Sequence, residues 1–299
     1  MSISAVFDIA FGGLFYASII FLIAAGLQVV FGTQKILNLA CGSFYALGAY
    51  AGISFIDWFV GPGSSAPYFM LVLIAAGLSL FFLGPVIERG VLKFIYPREE
   101  VFQLLATFAL VLIFEDIIKI FWGIYPRIAK GTAIVYQSIH IGEIVIPLYH
   151  LFVIVCSFSI ALIIGFVIKN TKFGKMLRAV ADDREMAAAL GINVTHVYLL
   201  SFTLGTVLGT LGGSLIIPVT AAMLGMGIEA IVLAFAVVVI GGLGSMMGAF
   251  IGAIIVGMLK AVALATFPEL ETFVIYLLVI IILLIRPWGL FGRPEIEAR

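Results

Sequence analysis

The sequence predicts an all-α integral membrane protein, a polytopic helical bundle of about 8–9 membrane segments with short or broken helices near the C-terminal half. Three observations lead there. The 299 residues are 64% hydrophobic and only 11% charged, with a mean hydropathy of +1.27, so one soluble core could not hide the nonpolar surface. The apolar residues gather in runs long enough for a hydrocarbon layer of about 30 Å. Between the runs, Lys and Arg concentrate in particular short loops. A formal net charge of +0 suggests neither a nucleic-acid footprint nor a polybasic lipid patch.

The first run, about 11–31, follows a start that lacks Lys and Arg and carries Asp8, so it reads as a retained span and not as a cleaved signal peptide. Runs at about 36–57, 68–92, 101–124, 147–168 and 194–217 are long enough to cross as helices. Shorter pieces follow at 228–241, 247–267 and 271–287, separated by "GGLGSMMG" and "FPELE", and the first of them is short enough for a half-helix. No long polar stretch or Ser/Pro-rich linker divides residues 1–299, which form one transmembrane domain. The loop after the fifth run holds Lys169, Lys172, Lys175, Arg178 and Arg184, and the loop after the third holds Arg89, Lys93 and Arg98. This excess of positive charge places both loops in the cytoplasm. Alternate crossings then put Lys35 inside, the N-terminus outside, and the connection 125–147 outside despite Arg127 and Lys130. The tail with Arg293 and Arg299 is cytoplasmic if 228–241 crosses and external if it does not; crossing, which gives nine segments, is the reading adopted.

Five ionised residues fall within eight positions from Arg178 to Glu185, in "RAVADDREMAAALGINV". Asp182 and Asp183 stand at the start of a short helix, where carboxylates oppose the positive end of the dipole. The helix runs through Arg184, Glu185, Met186 and three alanines, Ala187 among them, to Leu190, and Gly191 stops it. A solvated, well-capped turn is the plainer reading of such a loop. The alanine run argues for docking, because a small-residue face admits close approach while flanking charges fix register.

Glu185, Ala187 and Gly191 also reproduce the sparse "E-x-A then Gly" pattern of the loop by which permeases of ATP-binding-cassette importers engage their ATPases. Two Gly-rich stretches, "GLQVVFGTQKILNLACGSFYALGAYAG" and "VVVIGGLGSMMGAFIGAIIVG", and the ending "RPWGLFGRPE" extend the likeness from Gly26 to Glu295. Together they resemble the branched-chain amino acid permease family, the LivH-type subunit. The resemblance implies that the loop at about 169–193, with Arg178, Asp182, Asp183, Arg184, Glu185, Ala187 and Gly191, contacts an ATPase. It further implies that the Gly-rich stretches line a solute path, with Asn38, Cys41, Gly42, Ser43, Tyr45, Gly244 and Ser245 along it. The implied partners are a second permease (LivM-like, identical or related), two ATPases (LivG-like and LivF-like) that carry ATP and Mg, and an extracytoplasmic solute-binding protein. Lipid surrounds the chain in a bacterial or archaeal plasma membrane. The chain itself holds no cofactor or metal and is not an enzyme.

Gly42, Gly48 and Gly52, like Gly244, Gly248 and Gly252, recur near helical spacing, so each set presents a flat face, for which simple helix packing is the alternative reading. "GSFYALGAYAG" and "GSMMGAFIG" resemble each other, in the manner of the internal repeats of transporters. In one place the chain departs from the family. Where members read N-F-A-H-G-E, it has Asn38, Leu39, Ala40, Cys41, Gly42 and Ser43, which leaves a path there roomier and less charged.

Ionisable groups inside spans face a bundle interior or water. Glu115 and Lys119, four apart in "FALVLIFEDIIKIFWG", read as a neutralised structural pair, with a proton relay through Glu115 and Asp116 as the other possibility. Lys260 snorkels toward an interface. His140, His150 and His196 lack metal-ligand spacing, Cys41 and Cys156 give no disulfide framework, and no phosphate-binding G-x-x-x-x-G-K-[ST] occurs. Three functions are weighed: an importer permease driven by separate ATPases, a secondary transporter or channel for small amides or urea, and an intramembrane enzyme. The enzyme lacks a nucleophile and base pair, and a channel needs no docking helix. The permease is therefore the reading, with branched-chain or other apolar amino acids first among its solutes and urea, short amides and small aromatic acids behind.

Overall fold

Each predicted apolar run forms a helix over most of its length in the computed structural model, which describes residues 3–60, 68–129, 137–141 and 144–292. Lys130, Arg293, Glu295 and Arg299 lie outside the described residues. The helices are α1 (Ile3–Gln34), α2 (Ala40–Phe59), α3 (Phe69–Ser79), α4 (Leu83–Ile87), α5 (Lys93–Ile95), α6 (Glu100–Trp122), α7 (Leu148–Asn170), α8 (Lys172–Asp182), α9 (Arg184–Ala189), α10 (Val194–Ile216), α11 (Met226–Gly241), α12 (Met246–Thr266) and α13 (Glu271–Ile285). Among the described residues, seven helical stretches are long and apolar enough to cross a membrane: α1, the run from α3 to α5, α6, α7, α10, α12 and α13. Helix α2, with 20 residues, and the shorter apolar helix α11, with 16, lie outside that set. The result is an all-α polytopic bundle.

Between α6 and α7 the described residues add one feature that the hydropathy profile does not show. Strands β1 (Ser138–Ile141) and β2 (Ile144–Pro147) form an antiparallel hairpin, Ile139 facing Ile146 and His140 facing Val145. Arg127 pairs its backbone with Ala222 at the same end of the bundle. The opposite end carries α8, α9 and most of the Lys and Arg, and is called the basic end here.

Helices α1 and α10 form the centre, and their apolar windows are the most enclosed in the chain. Helix α10 is rich in Gly, Thr and Ser, and its hydroxyls return hydrogen bonds to their own backbone, as Thr206 Oγ1 does to the Phe202 carbonyl at 2.9 Å. Small side chains let neighbours approach to backbone contact. A Cβ on Gly26 would meet the Gly205 oxygen at 2.8 Å, and Gly48 and Gly52 lie directly on Thr210 and Ser214. The glycine triplet of α2 therefore packs helix against helix: Gly42 rests on Gly227 at the start of α11.

The expected span at 36–57 is broken. Gln34 reaches the Tyr198 carbonyl near the base of α10, with Nε2 at 3.2 Å, yet Cys41 lies beside Gly209. Gly209 stands 11 residues beyond Tyr198 on α10, about 16 Å farther along at 1.5 Å per residue. The chain from Lys35 to Leu39 must climb that distance as non-helical backbone, starting from Lys35 with φ +57°. Irregular backbone at membrane depth survives only inside protein. Asn38 is buried here, its Oδ1 accepting from the Ala40 amide at 3.1 Å and its Nδ2 reaching the Cys41 sulfur at 3.4 Å. So a helix break is found in the N-terminal half too.

The third crossing is also irregular. A 3-10 turn (Leu80–Phe82), α4 with Pro85, and a π-turn (Glu88–Leu92) link α3 to α5. Glu88 is fully buried in the π-turn, and the Tyr96 hydroxyl donates to its Oε1 at 3.4 Å. At the basic side of α11, residues 290–291 close the bundle: the amides of Leu290 and Phe291 donate to the carbonyls of Ile240 and Gly241, both at 2.9 Å.

Candidate functional site

Two places combine polar chemistry with access, one at each end of the bundle. At the basic end, Thr171 caps α8 by accepting from the Gly174 amide at 3.1 Å, and Arg178 Nη1 donates to the Ile168 carbonyl of α7 at 2.6 Å. Gly174 sits where any side chain would overlap the carbonyls of Val167 and Ile168, which folds α8 back across the end of α7. The inward face of α8, Leu177 and Val180, packs with Val29, Val197 and Tyr198. Asp182 then ends α8, and Asp183 turns the chain.

Helix α9 is bounded on both sides as its sequence predicts. Asp183 Oδ1 accepts from the amides of Glu185 at 2.9 Å and Met186 at 3.0 Å, satisfying donors that a helix start leaves free. Gly191, at φ +85°, ends it in a Schellman motif: the Ile192 amide donates to the Ala187 carbonyl and the Gly191 amide to Ala188, both at 3.0 Å. Asn193 immediately caps α10, its Oδ1 accepting from the His196 amide at 3.0 Å. Ala187 points inward and is buried against α1 and α10, so it anchors α9 to the bundle. Asp182, Asp183, Arg184 and Glu185 are exposed, and so are Met186 at 59% and Leu190 at 75%.

Toward the other end, a cavity of about 230 Å³ lies between α1, α2, α10, α11 and α12. Its polar lining is Tyr16, Tyr45, Thr220, Glu229 and Lys260, and its apolar wall includes Ile19, Ile23, Ile216, Met226 and Leu233. Lys260 Nζ bonds Glu271 Oε1 at 2.8 Å and stands 5.0 Å over the Tyr16 ring. Glu229 opens the first turn of α11, where its carboxylate suits the helix dipole, and lies within electrostatic range of Tyr45 and Tyr276. Tyr45 is held at the wall because Gly213 of α10 lies directly on its carbonyl.

Of the residues expected along a path, Tyr45 lines this cavity, and Ser43 faces a smaller neighbouring space with Glu115 and Gly227. Asn38 and Cys41 are buried in the α1–α2 break, and Gly42 is spent on helix contact. Gly244, at φ +84°, and Ser245 form the turn between α11 and α12, where Ser245 Oγ caps α12 by accepting from Gly248 at 3.1 Å. That turn is at the basic side of the cavity, since Gln28 of α1 donates to the Gly242 carbonyl there at 3.0 Å. The expected Glu115–Lys119 pair is not formed. Lys119 Nζ bonds Asp116 Oδ1 at 3.0 Å, three residues back, on the outward face of α6. Lys260 is held by Glu271 at the start of α13. Glu229 and Thr220 were missed; a lone carboxylate beside the apolar run "AIVLAFAVVVI" was the available signal.

The comparisons with known proteins agree over nearly the whole length. The family model described as branched-chain amino acid transport system / permease component matches residues 9–283. The high-affinity branched-chain amino acid transport system permease protein LivH of Salmonella typhimurium is 29% identical over 96% of this chain and 96% of its own. The corresponding permease protein BraD of Pseudomonas aeruginosa is 28% identical over 95% of each. Among solved structures, a chain of PsaBC from Streptococcus pneumoniae in complex with Fab covers 92% of this chain and 89% of its own, with a TM-score of 0.48 at 14% identity. With seven helices among the described residues long and apolar enough to cross a membrane, and a family model matched over residues 9–283, the chain belongs to the branched-chain amino acid transport permease family.

Proposed function

We propose that this multi-pass plasma-membrane protein is the permease subunit of an ATP-binding-cassette importer that carries branched-chain or similar apolar amino acids. The observation that carries the reading is the divided surface of α9. One face is fixed to the bundle through Ala187, and the other presents Met186 and Leu190 beside Arg184 and Glu185. Exposed apolar residues framed by charge suit a groove on another protein, with the charges setting register. Because Asn193 caps α10 two residues after Gly191, a push on α9 passes straight into the central helix. The basic end is then cytoplasmic, in keeping with the positive-inside bias, and the cavity opens toward the outside, where a binding protein delivers solute.

The implied partners are two ATPases, LivG-like and LivF-like, a second permease of the LivM type or an identical copy, and an extracytoplasmic binding protein. The names of the relatives support the solute class, and the apolar cavity wall suits an aliphatic side chain. Co-expression with these partners, reconstitution into proteoliposomes and measurement of ATP-dependent leucine and urea uptake tests the reading. Glu185→Lys and Leu190→Asp are expected to lose ATPase co-purification and uptake while the permease stays folded. Normal coupling in both variants, or uptake without ATPases, would overturn it.

A further inference from the structure

We propose that the cavity reads its cargo as a zwitterion, with Glu229 taking the α-ammonium and Lys260 the α-carboxylate, and that Glu271 holds Lys260 until a solute carboxylate competes for it. The proposal rests on the importer reading above and adds the chemistry of recognition.

Charge bookkeeping within the bundle points there. Lys260 is neutralised by Glu271 at 2.8 Å, and both side chains are largely enclosed, at 20% and 22% exposure. An ammonium has three donors, so a second carboxylate can join or displace the first. Glu229, by contrast, has no cationic partner at salt-bridge distance among the described residues. Glu229 is exposed and lines the cavity from the first turn of α11, so its carboxylate is open to a cationic group that enters there. The cavity that both residues line thus holds one unpaired negative charge, one exchangeable positive charge and an aliphatic wall. An amino acid with an apolar side chain satisfies all three, and the Tyr16 ring beneath Lys260 Nζ helps to keep that ammonium in the cavity. Urea leaves Glu229 unpaired, and a simple carboxylic acid meets its repulsion. The cavity, about 230 Å³, has room for a solute on the scale of one amino acid.

The test uses the complete importer, reconstituted with its ATPases, second permease and binding protein, and reads leucine moved per ATP hydrolysed. Lys260→Gln and Glu229→Gln are each expected to lower this ratio by about tenfold or more, as loss of a charge-assisted hydrogen bond does, while ATPase activity stimulated by loaded binding protein persists. Lys260→Arg keeps the charge and retains much of the ratio, which separates recognition from folding. Glu271→Gln frees Lys260 and raises uptake. A parallel loss in Glu271→Gln and Lys260→Gln, repaired in Lys260→Met/Glu271→Leu, makes the pair a structural brace and overturns the proposal. Uptake untouched by Lys260→Gln and Glu229→Gln also overturns it and leaves the importer reading standing. If the unaltered protein shows no ATP-driven uptake, the importer reading falls and takes this proposal with it.

Discussion

Adding one methyl group to Gly48 tests whether the α2–α10 contact sets the bundle. A Cβ there lies 2.6 Å from the Thr210 Cα and overlaps the Thr210 carbonyl oxygen, both of which are backbone atoms of a central helix. Carbon contacts relax at about 3.5–4.0 Å, so the helices must part by about 1 Å. Such a gap forfeits about a quarter to a half of each lost contact, and overpacking of this kind costs about 1–3 kcal/mol. Ala gains at most about 1 kcal/mol over Gly from helix propensity, leaving a net loss of about 1 kcal/mol. Gly165→Ala is the control, since a Cβ there meets nothing within 4 Å and is neutral to slightly stabilising. Unfolding of the purified chain in mild detergent, followed by circular dichroism against denaturant, measures both. Gly213→Ala belongs with Gly48→Ala and also shifts Tyr45 at the cavity wall. Equal stability of Gly48→Ala, Gly213→Ala and Gly165→Ala would refute the argument that backbone contact holds α2 on α10.

Four further outcomes rest on local contacts elsewhere in the bundle. Gly191→Val places a branched residue at φ +85° where nothing crowds it, so conformational strain of about 1–2 kcal/mol falls on α9 alone; ATPase co-purification drops while the unfolding midpoint of the spans is unchanged. Asp183→Ala removes a cap worth about 1 kcal/mol, and amide exchange at Glu185 and Met186 accelerates relative to that of α8. On α6, Asp116→Asn or Lys119→Met alone leaves one charge facing lipid and lowers membrane yield, and the double variant recovers it; equal yields for all three would show the pair to be idle. Cys41 is 1% exposed, so in a Cys156→Ala background a charged maleimide leaves it unmodified while the cavity faces outward; rapid labelling there would place water in the α1–α2 break.

Much of this architecture was legible in the sequence because lipid is an unforgiving solvent. Runs such as 147–168 have one stable conformation in hydrocarbon, and they became helices almost to the residue. The limits of α9 were legible too, because Asp183 and Gly191 act through local backbone chemistry. The break at 35–39 was hidden because Ile36, Leu37 and Leu39 are as apolar as any helix, and hydropathy does not register backbone direction. Spacing alone could not choose between Asp116 and Glu115 for Lys119, since i+3 and i+4 neighbours are both in reach. The cavity escaped because its polar residues come from helices far apart in the chain, each contributing one or two. The glycines of α2 were visible as a face, but which helix they met was decided by tertiary packing.

The π-turn at Glu88–Leu92 bears on how this crossing tolerates changes in length. A π-turn accommodates one more residue than an α-turn without rotating the helix beyond it, so it behaves as slack in the ladder. Deleting one residue within 88–92 is absorbed there by tightening to ordinary α-helix, and Tyr96 keeps its place against Tyr198. The same deletion within α6 turns every later side chain by about 100° about the axis, carrying Phe114 out of the core and Asp116 away from its present face. A homologue one residue shorter between Pro85 and Tyr96 would therefore have a regular helix there and the same neighbours.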